Sequence, residues 1–282
     1  MKTTIRSIVV ISDTHFGCQL SLCPPEVSLD GGGTYHPSAL QKKLWQMWTE
    51  FWDKWIPGAT RGEDYVVIHN GDVLDGVHHN SSTQISHNLA DQKKIAVDVL
   101  LPMISRSKCK GYYQIRGTEA HVGISGQEEE TIAKELEAVK DEIGNHARWE
   151  LWLEFGAHKS LVHFTHHVGT TSSAAYESTA VYKELIEAYT EAGRYRLEPP
   201  DCLVRSHRHR NFTIEIPAAG GKNAIAVITP GWQLKTPFSY RLAMGRSALP
   251  QIGGIVIREG EEVPIYVRSK VWNIERPRRE TI

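Results

Sequence analysis

Short aliphatic runs alternate with amphipathic segments along the first half of the chain. Residues 5–11, 65–68 and 111–115 are apolar runs of strand length, and each predicts a buried strand. Between them, apolar positions recur at helical spacing over 40–55 and 88–104, which predicts two helices. Strands that alternate with helices in this way indicate an α/β domain.

The second half of the chain predicts more strands than helices. Alternating apolar positions predict a hairpin from 149–155 and 159–165, and helical spacing predicts a helix over 174–192. A capping box of Ser125 and Glu128 predicts a further helix that reaches about Ile143. The short runs that predict the remaining strands are 201–205, 211–216, 223–229 and 253–268.

The organisation of the chain indicates one unit. Neither an internal repeat nor a linker-like stretch interrupts the sequence, so we expect a single domain over 1–282. Residues 18–62 are interpreted as an insertion, and 274–282 as a polar tail. The insertion carries tryptophans on its helix, which indicate either core packing or a platform for stacking bases: Trp45, Trp48 and Trp52.

Composition narrows the class of protein. Hydrophobic residues make up 40% of the chain, which excludes a disordered protein. Thirty-two basic against 33 acidic residues give a net charge of −1, so nucleic acid would have to bind to a local patch. No apolar run reaches transmembrane length, and the start lacks a signal-like segment, so we expect a cytoplasmic protein without membrane contact. The 14 histidines, about twice the usual content, are the first indication of function.

Five polar clusters each come directly after a predicted strand. Ligands bind at the carboxyl ends of strands in open α/β sheets, so the five could converge on one site. Each cluster taken singly would more often be structural. Carboxylates and imidazoles that recur after separate strands are, however, how distant segments build a metal site. The clusters are Asp13-x-His15, Gly71-Asp72-x-x-Asp75, Gly117-Thr118-Glu119-Ala120-His121, His166-His167 and His207-x-His209.

This series resembles the motifs of the calcineurin-like metallophosphoesterase family. The resemblance covers roughly residues 5–235, and four of the five motifs match closely. It implies the metallo-dependent phosphatase fold, an α/β fold with a two-sheet β-sandwich flanked by helices, and a dinuclear metal centre. It also implies a role for Asp75 in orienting a ligand. The implied ligands are Asp13, His15, Asp72 and His209 for the first metal, with Asp72 bridging, and His166 and His207 for the second.

The third motif departs from the family pattern. Family members usually have Gly-Asn-His, in which the Asn ligates the second metal and the His contacts phosphate. In the preferred interpretation Glu119 replaces the Asn as an oxygen ligand, and His121 is a displaced general acid. In the alternative alignment Thr118 takes the Asn position and Glu119 the His position. A third interpretation is a vestigial motif in a protein that binds metal and has little activity.

The resemblance implies a hydrolase that uses two divalent ions to activate water, with Mn²⁺ favoured over Mg²⁺, Zn²⁺ or Fe. Arg116 and Arg208 flank the motifs, and we expect them to grip phosphate oxygens of the substrate. The expected substrate is a phosphodiester, with DNA or RNA preferred. The alternatives are a small-molecule phosphodiesterase or phosphatase, and a non-catalytic nucleic-acid-binding protein that metals stabilise.

Overall fold

The computed structural model describes residues 4–78, 80–123, 125–169, 174–241, 248–261, 264–275 and 280–281. Most of the predicted tail, at 276–279 and 282, lies outside these residues. The strands are β1 Ser7–Ile11, β2 Val27–Ser28, β3 Thr34–Tyr35, β4 Tyr65–Asn70, β5 Cys109–Ile115, β6 Ala147–Arg148, β7 Leu151–Phe155, β8 Ser160–Phe164, β9 Cys202–Arg205, β10 Phe212–Pro217, β11 Asn223–Ile228, β12 Gln251–Glu259 and β13 Ile265–Asn273. The helices are α1 Ala39–Glu50, α2 Ile56–Ala59, α3 Leu89–Ile104, α4 Glu119–Val122, α5 Gln127–Glu135 and α6 Glu177–Tyr195.

Two sheets carry the architecture. The first has six strands in the order β13-β12-β1-β4-β5-β6, and the second has five in the order β10-β11-β9-β8-β7. In the first sheet β1, β4, β5 and β6 run parallel, while β12 and β13 form an antiparallel hairpin at one edge. In the second sheet β8, β9 and β11 are parallel. The parallel strands of each sheet therefore bring their carboxyl ends to a common edge.

The two sheets pack face to face and carry helices on their outer faces. Ile8 and Val10 of β1 pack against the second sheet in one core, which also contains Phe164 and Val204. The intervening Val9 faces a separate core with the helices of the first sheet. Helix α6 covers the other face of the second sheet. All five residues of β1 are buried, as expected of a parallel strand covered on both faces. The predicted α/β two-sheet sandwich flanked by helices is confirmed.

The predicted insertion forms the β2–β3 hairpin and a long helical segment. Helix α1 begins at a capping box. The Ser38 hydroxyl accepts a hydrogen bond from the backbone N–H of Gln41, and the Gln41 side-chain oxygen accepts one from the backbone N–H of Ser38. A π-helical stretch, Phe51–Trp55, joins α1 to α2. Trp48 and Trp52 are fully buried, with ring centroids 5.5 Å apart. These two rings therefore pack in the core and offer no platform to a base.

The structure differs from the sequence prediction in two elements. Helix α5 begins at Gln127, after Gly126 rather than at a Ser125 cap, and it ends at Glu135, well before Ile143. The chain leaves the helix there because Glu137 adopts a left-handed φ of 52°, and the Ala138 N–H caps the helix by donating to the Ala133 carbonyl at 2.8 Å. The apolar run over 253–268 is two strands of one hairpin, β12 and β13.

Among the described residues, no helix is both long and apolar enough to span a membrane.

Candidate metal centre

The loops after β1 and β4 place three of the predicted ligands at one edge of the first sheet. The two strands are parallel neighbours, and their pairing continues into the loops. Asp13 N–H donates to the Gly71 carbonyl at 3.0 Å, and His15 N–H donates to the Asp72 carbonyl at 3.0 Å. The side chains of Asp13, His15 and Asp72 are all buried at this edge.

The second sheet contributes the three remaining imidazoles. His166 comes after β8, while His207 and His209 come after β9, the parallel neighbour of β8. The Ser206 N–H donates to the His166 carbonyl at 2.9 Å, so these two loops also stay paired. His207 N–H lies 3.3 Å from Asp13 Oδ2, which joins the loops of the two sheets.

The backbone at the centre is held in an unfavourable conformation. Ten non-glycine residues of the described chain have positive φ angles, and half of them are predicted ligands. Left-handed backbone at a non-glycine residue costs about 1–3 kcal/mol, and it persists where the surrounding structure enforces it, often at functional sites. The five ligands in this conformation are Asp13, His15, Asp72, His207 and His209.

Two glycines allow the loops to approach one another. A Cβ at Gly71 would overlap the His166 ring, and Gly71 also has a φ of +90°. A Cβ at Gly117 would overlap the amide nitrogen and carboxylate of Asp72. Glycine is therefore required at both positions for the ligands to converge.

The first group of ligand atoms comprises Asp13, His15 and His209. The Nε2 atoms of His15 and His209 are 3.2 Å apart, and His209 Nε2 is 3.3 Å from Asp13 Oδ1. Ligands bound at about 2.0–2.2 Å around one tetrahedral ion stand roughly 3.3–3.5 Å from one another, so these separations suit a shared cation.

The second group comprises Asp72, His166 and His207. Asp72 Oδ2 is 3.0 Å from His166 Nε2 and 3.8 Å from His207 Nδ1. The same oxygen is 3.9 Å from His15 Nε2 of the first group. The Asp72 carboxylate thus stands between the two groups, where a bridging ligand would stand.

Three buried ligand atoms at the centre make no hydrogen bond of good geometry within the described residues, namely Asp13 Oδ1, His15 Nδ1 and His166 Nε2. Asp13 Oδ1 and His166 Nε2 lie 3.9 Å apart, and His166 Nε2 faces Asp72 Oδ2 at 3.0 Å as an ion pair. An unsatisfied buried polar atom costs about 1–3 kcal/mol, and a bound cation would remove that cost. The donor set of carboxylates and imidazoles suits a divalent ion such as Zn²⁺, Mn²⁺ or Fe²⁺, so the residues present fit a metal.

The pKa values of two predicted ligands at the centre shift in opposite directions. Burial opposes ionisation of Asp72, yet the facing imidazoles of His166 and His121 hold its pKa well below the usual value. Burial likewise disfavours the charged His166 ring, but Asp72 and Asp13 raise its pKa to about 10. Metal ions compete with protons for such ligands. A cation bound at the centre would therefore compete with the proton that the two carboxylates favour on His166.

The third motif places Thr118, and not Glu119, beside the second group. The Thr118 hydroxyl is 3.4 Å from His207 Nδ1, and its backbone N–H donates to Asp72 Oδ1 at 2.6 Å. Glu119 begins helix α4 with an exposed side chain and belongs to none of the ligand groups. The short helix turns Glu119 toward solvent, so the structure does not bring the residue preferred as the second-metal ligand to the centre.

His121 lies against the first group. Its ring centroid is 4.5 Å from that of His15, and its ligand atom groups with those of His15 and Asp72. The Nδ1 atom hydrogen-bonds to the Asp75 carbonyl at 2.6 Å, which fixes the ring. Burial lowers the pKa of the His121 imidazole. The displaced histidine of the motif therefore reaches the centre, next to His15.

Asp75 stands behind His15. Its carboxylate accepts from the Gln84 side chain at 2.8 Å and from the Gln233 side chain at 3.0 Å. Asp75 Oδ1 is 3.8 Å from His15 Nδ1, beyond hydrogen-bond distance. The two amides hold the carboxylate in place next to the His15 ring, without a hydrogen bond between Asp75 and His15.

The two predicted phosphate-gripping arginines are not placed alike. The guanidinium of Arg116 is hydrogen-bonded within the protein, since it donates to the Ala147 and Ser125 carbonyls and to the Glu130 carboxylate. The structure therefore does not present the Arg116 guanidinium to a substrate. Arg208 stands between two ligand residues of the chain and is half-buried, and burial lowers the pKa of its guanidinium.

Sequence reasoning missed a buried carboxylate beneath the centre. Glu129 is fully buried, and it accepts from Val73 N–H at 3.0 Å and from Gly117 N–H at 2.6 Å. It thereby ties the Asp72 loop to the third motif. Burial raises the pKa of Glu129 to about 8, and the Asp72 charge acts in the same direction. In the sequence Glu129 is the middle member of an acidic run at a helix start, a pattern typical of a solvated surface.

Comparison with known proteins shows low similarity. No model of a protein family and no curated protein matches the sequence. Among solved structures, Vps29 of Chaetomium thermophilum is 13% identical with a TM-score of 0.41, over 98% of this chain and 100% of that one. A hypothetical protein of Thermus thermophilus is 11% identical with a TM-score of 0.43, over 95% of this chain and 99% of that one. Such values are too low to indicate a shared activity, ligand or partner.

Proposed function

We propose that this protein is a calcineurin-like, metal-dependent phosphoesterase that binds two divalent ions and hydrolyses phosphodiester bonds. The observation that carries the proposal is the position of Asp72 Oδ2, between His15 of the first ligand group and His166 and His207 of the second. One carboxylate shared by two His/Asp groups is the arrangement that a two-metal hydrolase requires.

The predicted ligands have different roles in the proposed reaction. Asp13, His15 and His209 would hold one ion, and His166 and His207 the other, with Asp72 between them. Two ions in such a site lower the pKa of a coordinated water and polarise phosphoryl oxygens. Mn²⁺ suits the mixed oxygen and nitrogen donors and is the first ion to test.

His121 is proposed as the general acid that gives a proton to the leaving oxygen. It lies against the first group, and the Asp75 carbonyl holds its ring in place. Burial lowers the pKa of this imidazole, whereas the negative charge of a bound phosphate ester favours its protonated form. Asp75 is proposed to position His15 from behind.

The diester preference rests on charge. A phosphate diester carries one negative charge, whereas a monoester carries up to two near neutral pH. The centre already holds Asp13, Asp72 and Asp75, and the Arg116 guanidinium is engaged elsewhere. Without the Arg116 guanidinium to neutralise a second phosphate charge beside these carboxylates, the site favours the less charged ester.

Nucleic acid is proposed as a substrate only in so far as its backbone is a diester. Three features of the sequence favour it, namely the flanking arginines, the tryptophans of the insertion and the basic tail, most of which lies outside the described residues. Arg116 is bound to Glu130 and to backbone carbonyls, while Trp48 and Trp52 are buried. Labelled DNA and RNA therefore enter the test beside small diesters.

The test compares esters and metals on one protein preparation. Metal is removed with EDTA, and Mn²⁺, Mg²⁺ or Zn²⁺ is restored before hydrolysis of bis-p-nitrophenyl phosphate and p-nitrophenyl phosphate is measured. We expect no turnover without metal, and a kcat/KM at least about tenfold higher for the diester, a difference of about 1.4 kcal/mol in barrier. Full activity in EDTA would exclude the metal mechanism. A tenfold preference for the monoester would show that the proposed substrate class is wrong. Metal binding without any turnover would favour the non-catalytic alternative.

A further inference from the structure

A third set of ligand atoms lies beside the two groups of the proposed centre. Asp75, His78 and His121 each offer one atom, and the three atoms lie within 4.8 Å of one another. His78 Nε2 is 3.7 Å from Asp75 Oδ1, and the rings of His78 and His121 meet edge to face with centroids 4.3 Å apart. The proposed two-ion reaction does not use His78.

Two of the three side chains are held in fixed orientations. The Asp75 carboxylate accepts one amide hydrogen bond on each oxygen, from Gln84 and Gln233, and each oxygen keeps a further lone pair. The Nδ1 atom of His121 hydrogen-bonds to a backbone carbonyl, which leaves Nε2 as the ring nitrogen that can bind a metal. His166 is held in the same way, with its Nδ1 on the Asn70 carbonyl at 2.6 Å. Such outer contacts are the usual support of metal-binding histidines and carboxylates.

A buried polar atom also faces this cluster. His15 is 2% exposed, and its Nδ1 atom has no hydrogen-bond partner among the described residues. That atom lies 3.8 Å from Asp75 Oδ1, nearly the separation found for His78 Nε2. Two ring nitrogens from different loops thus lie near one carboxylate oxygen, at separations slightly wider than the roughly 3.3–3.5 Å between ligand atoms around one tetrahedral ion.

We propose that Asp75, His78 and His121 form a third divalent-cation site next to the two-metal centre. Two imidazoles and one carboxylate match the three-ligand zinc sites that keep an open coordination position, so zinc is the expected occupant.

Occupation of this site would regulate the proposed reaction. This consequence rests on the proposed function, in which His121 carries a proton to the leaving oxygen. One imidazole nitrogen cannot hold a proton and a zinc ion at the same time. Zinc beyond two equivalents therefore inhibits hydrolysis of diesters with poor leaving groups, and spares diesters of p-nitrophenol, which hardly need the proton.

The first experiment counts zinc and needs no turnover. The full chain is stripped with EDTA, and bound Zn²⁺ is measured by equilibrium dialysis for the wild type, His78→Ala and His78→Gln. The control is His87→Ala, because His87 is an exposed histidine outside all the ligand groups. We expect three equivalents for the wild type and the control, and two for both His78 variants. Melting temperatures in EDTA show whether each variant is folded.

Two results of the count would overturn the site. One is an equal number of bound zinc ions in the wild type and both folded His78 variants. The other is a fall from two equivalents to one, which would place His78 in the two-metal centre. A protein with no phosphoesterase activity can still bind three ions, so failure of the proposed function is distinguishable from failure of the third site.

The second experiment tests the regulation. Hydrolysis of a dinucleotide and of bis-p-nitrophenyl phosphate is measured as free Zn²⁺ rises. We expect inhibition of the dinucleotide reaction only, with the inhibitory zinc concentration at least tenfold higher in His78→Gln than in the wild type. Equal inhibitory concentrations in the two proteins would contradict competition at His121.

Discussion

The Thr118 hydroxyl lies 3.0 Å from Asp72 Oδ1 and 2.9 Å from Asp72 Oδ2, and it donates to that carboxylate. The Thr118 backbone N–H adds a third contact, to Oδ1. A hydroxyl and an amide that together hold a carboxylate restrict its rotation, and hydrogen bonds to charged groups are worth about 1.5–3 kcal/mol each. The third motif therefore acts on the carboxylate that stands between the two ligand groups.

The first prediction separates the two alignments of this motif. Thr118→Val keeps the shape and removes the hydroxyl, so it should weaken metal binding about 10–100-fold, the usual effect of losing an outer contact of a ligand. Glu119→Gln should bind metal within about twofold of the wild type, because its side chain is exposed. Mn²⁺ titration followed by electron paramagnetic resonance measures both constants. If Glu119→Gln loses metal and Thr118→Val keeps it, Glu119 is the ligand after all.

The positions of the candidate metal ligands could be predicted from the sequence, whereas the geometry of the third motif could not. Asp13 and Asp72 come after apolar runs, and parallel strands place the loops at their carboxyl ends along a common edge. In the third motif the direction of each side chain depends on a four-residue helix, which is too short to be predicted from the spacing of apolar residues. That helix turns Glu119 outward and brings His121, two residues further on, back toward His15.

A second prediction concerns the shared carboxylate. Asp72→Asn keeps the size of the side chain and removes its charge, so both ligand groups lose their common anion. We expect metal content to fall below one equivalent and kcat/KM for bis-p-nitrophenyl phosphate to fall at least about 100-fold, since a ligand should matter no less than its outer contacts. Elemental analysis and initial rates measure the two effects.

The matched control for this change is Asp98→Asn. Asp98 is a helical residue paired with Lys94 on the surface, away from the centre. Its variant should match the wild type in metal content and rate. Wild-type metal content in Asp72→Asn would contradict a bridging role.

A third prediction addresses the general acid. His121→Gln should lower kcat about 10²–10⁴-fold for a dinucleotide, the usual range for losing an acid, and much less for bis-p-nitrophenyl phosphate. The two ions of the main centre should stay bound, because neither of the two ligand groups there includes His121. Single-turnover rates on both substrates measure the difference. An equal loss on both esters would indicate a role in binding rather than in proton transfer.

The contribution of Glu129 was beyond sequence reasoning for a physical reason. Acidic residues in the first turn of a helix are favoured by the helix dipole, so a run of three glutamates is an ordinary surface pattern. Only tertiary contacts distinguish Glu129 from its neighbours. The Val73 and Gly117 N–H groups belong to loops after different strands, and Glu129 is the residue that accepts from both.

The last prediction uses the pKa of Glu129. Burial raises it to about 8 in the folded, metal-free protein, from a usual value of 4.5. Between these two values the folded state binds more protons than the unfolded state, so the free energy of unfolding falls as the pH rises. The slope that one such group adds is at most about 1.4 kcal/mol per pH unit.

Glu129→Gln cannot titrate and should lack this part of the slope. Because its amide replaces one acceptor with a donor, we also expect a pH-independent loss of about 1–3 kcal/mol. Urea unfolding in EDTA at pH 5, 6, 7 and 8 should therefore show the variant less stable than the wild type at pH 5. The difference should shrink as the pH rises and reverse by pH 8, because about 1.4 kcal/mol per pH unit over three units exceeds the pH-independent loss. Glu128→Gln, at a neighbour paired with Lys93, should match the wild-type slope. Parallel curves for the wild type and Glu129→Gln would mean that this carboxyl stays ionised in the folded protein throughout the range.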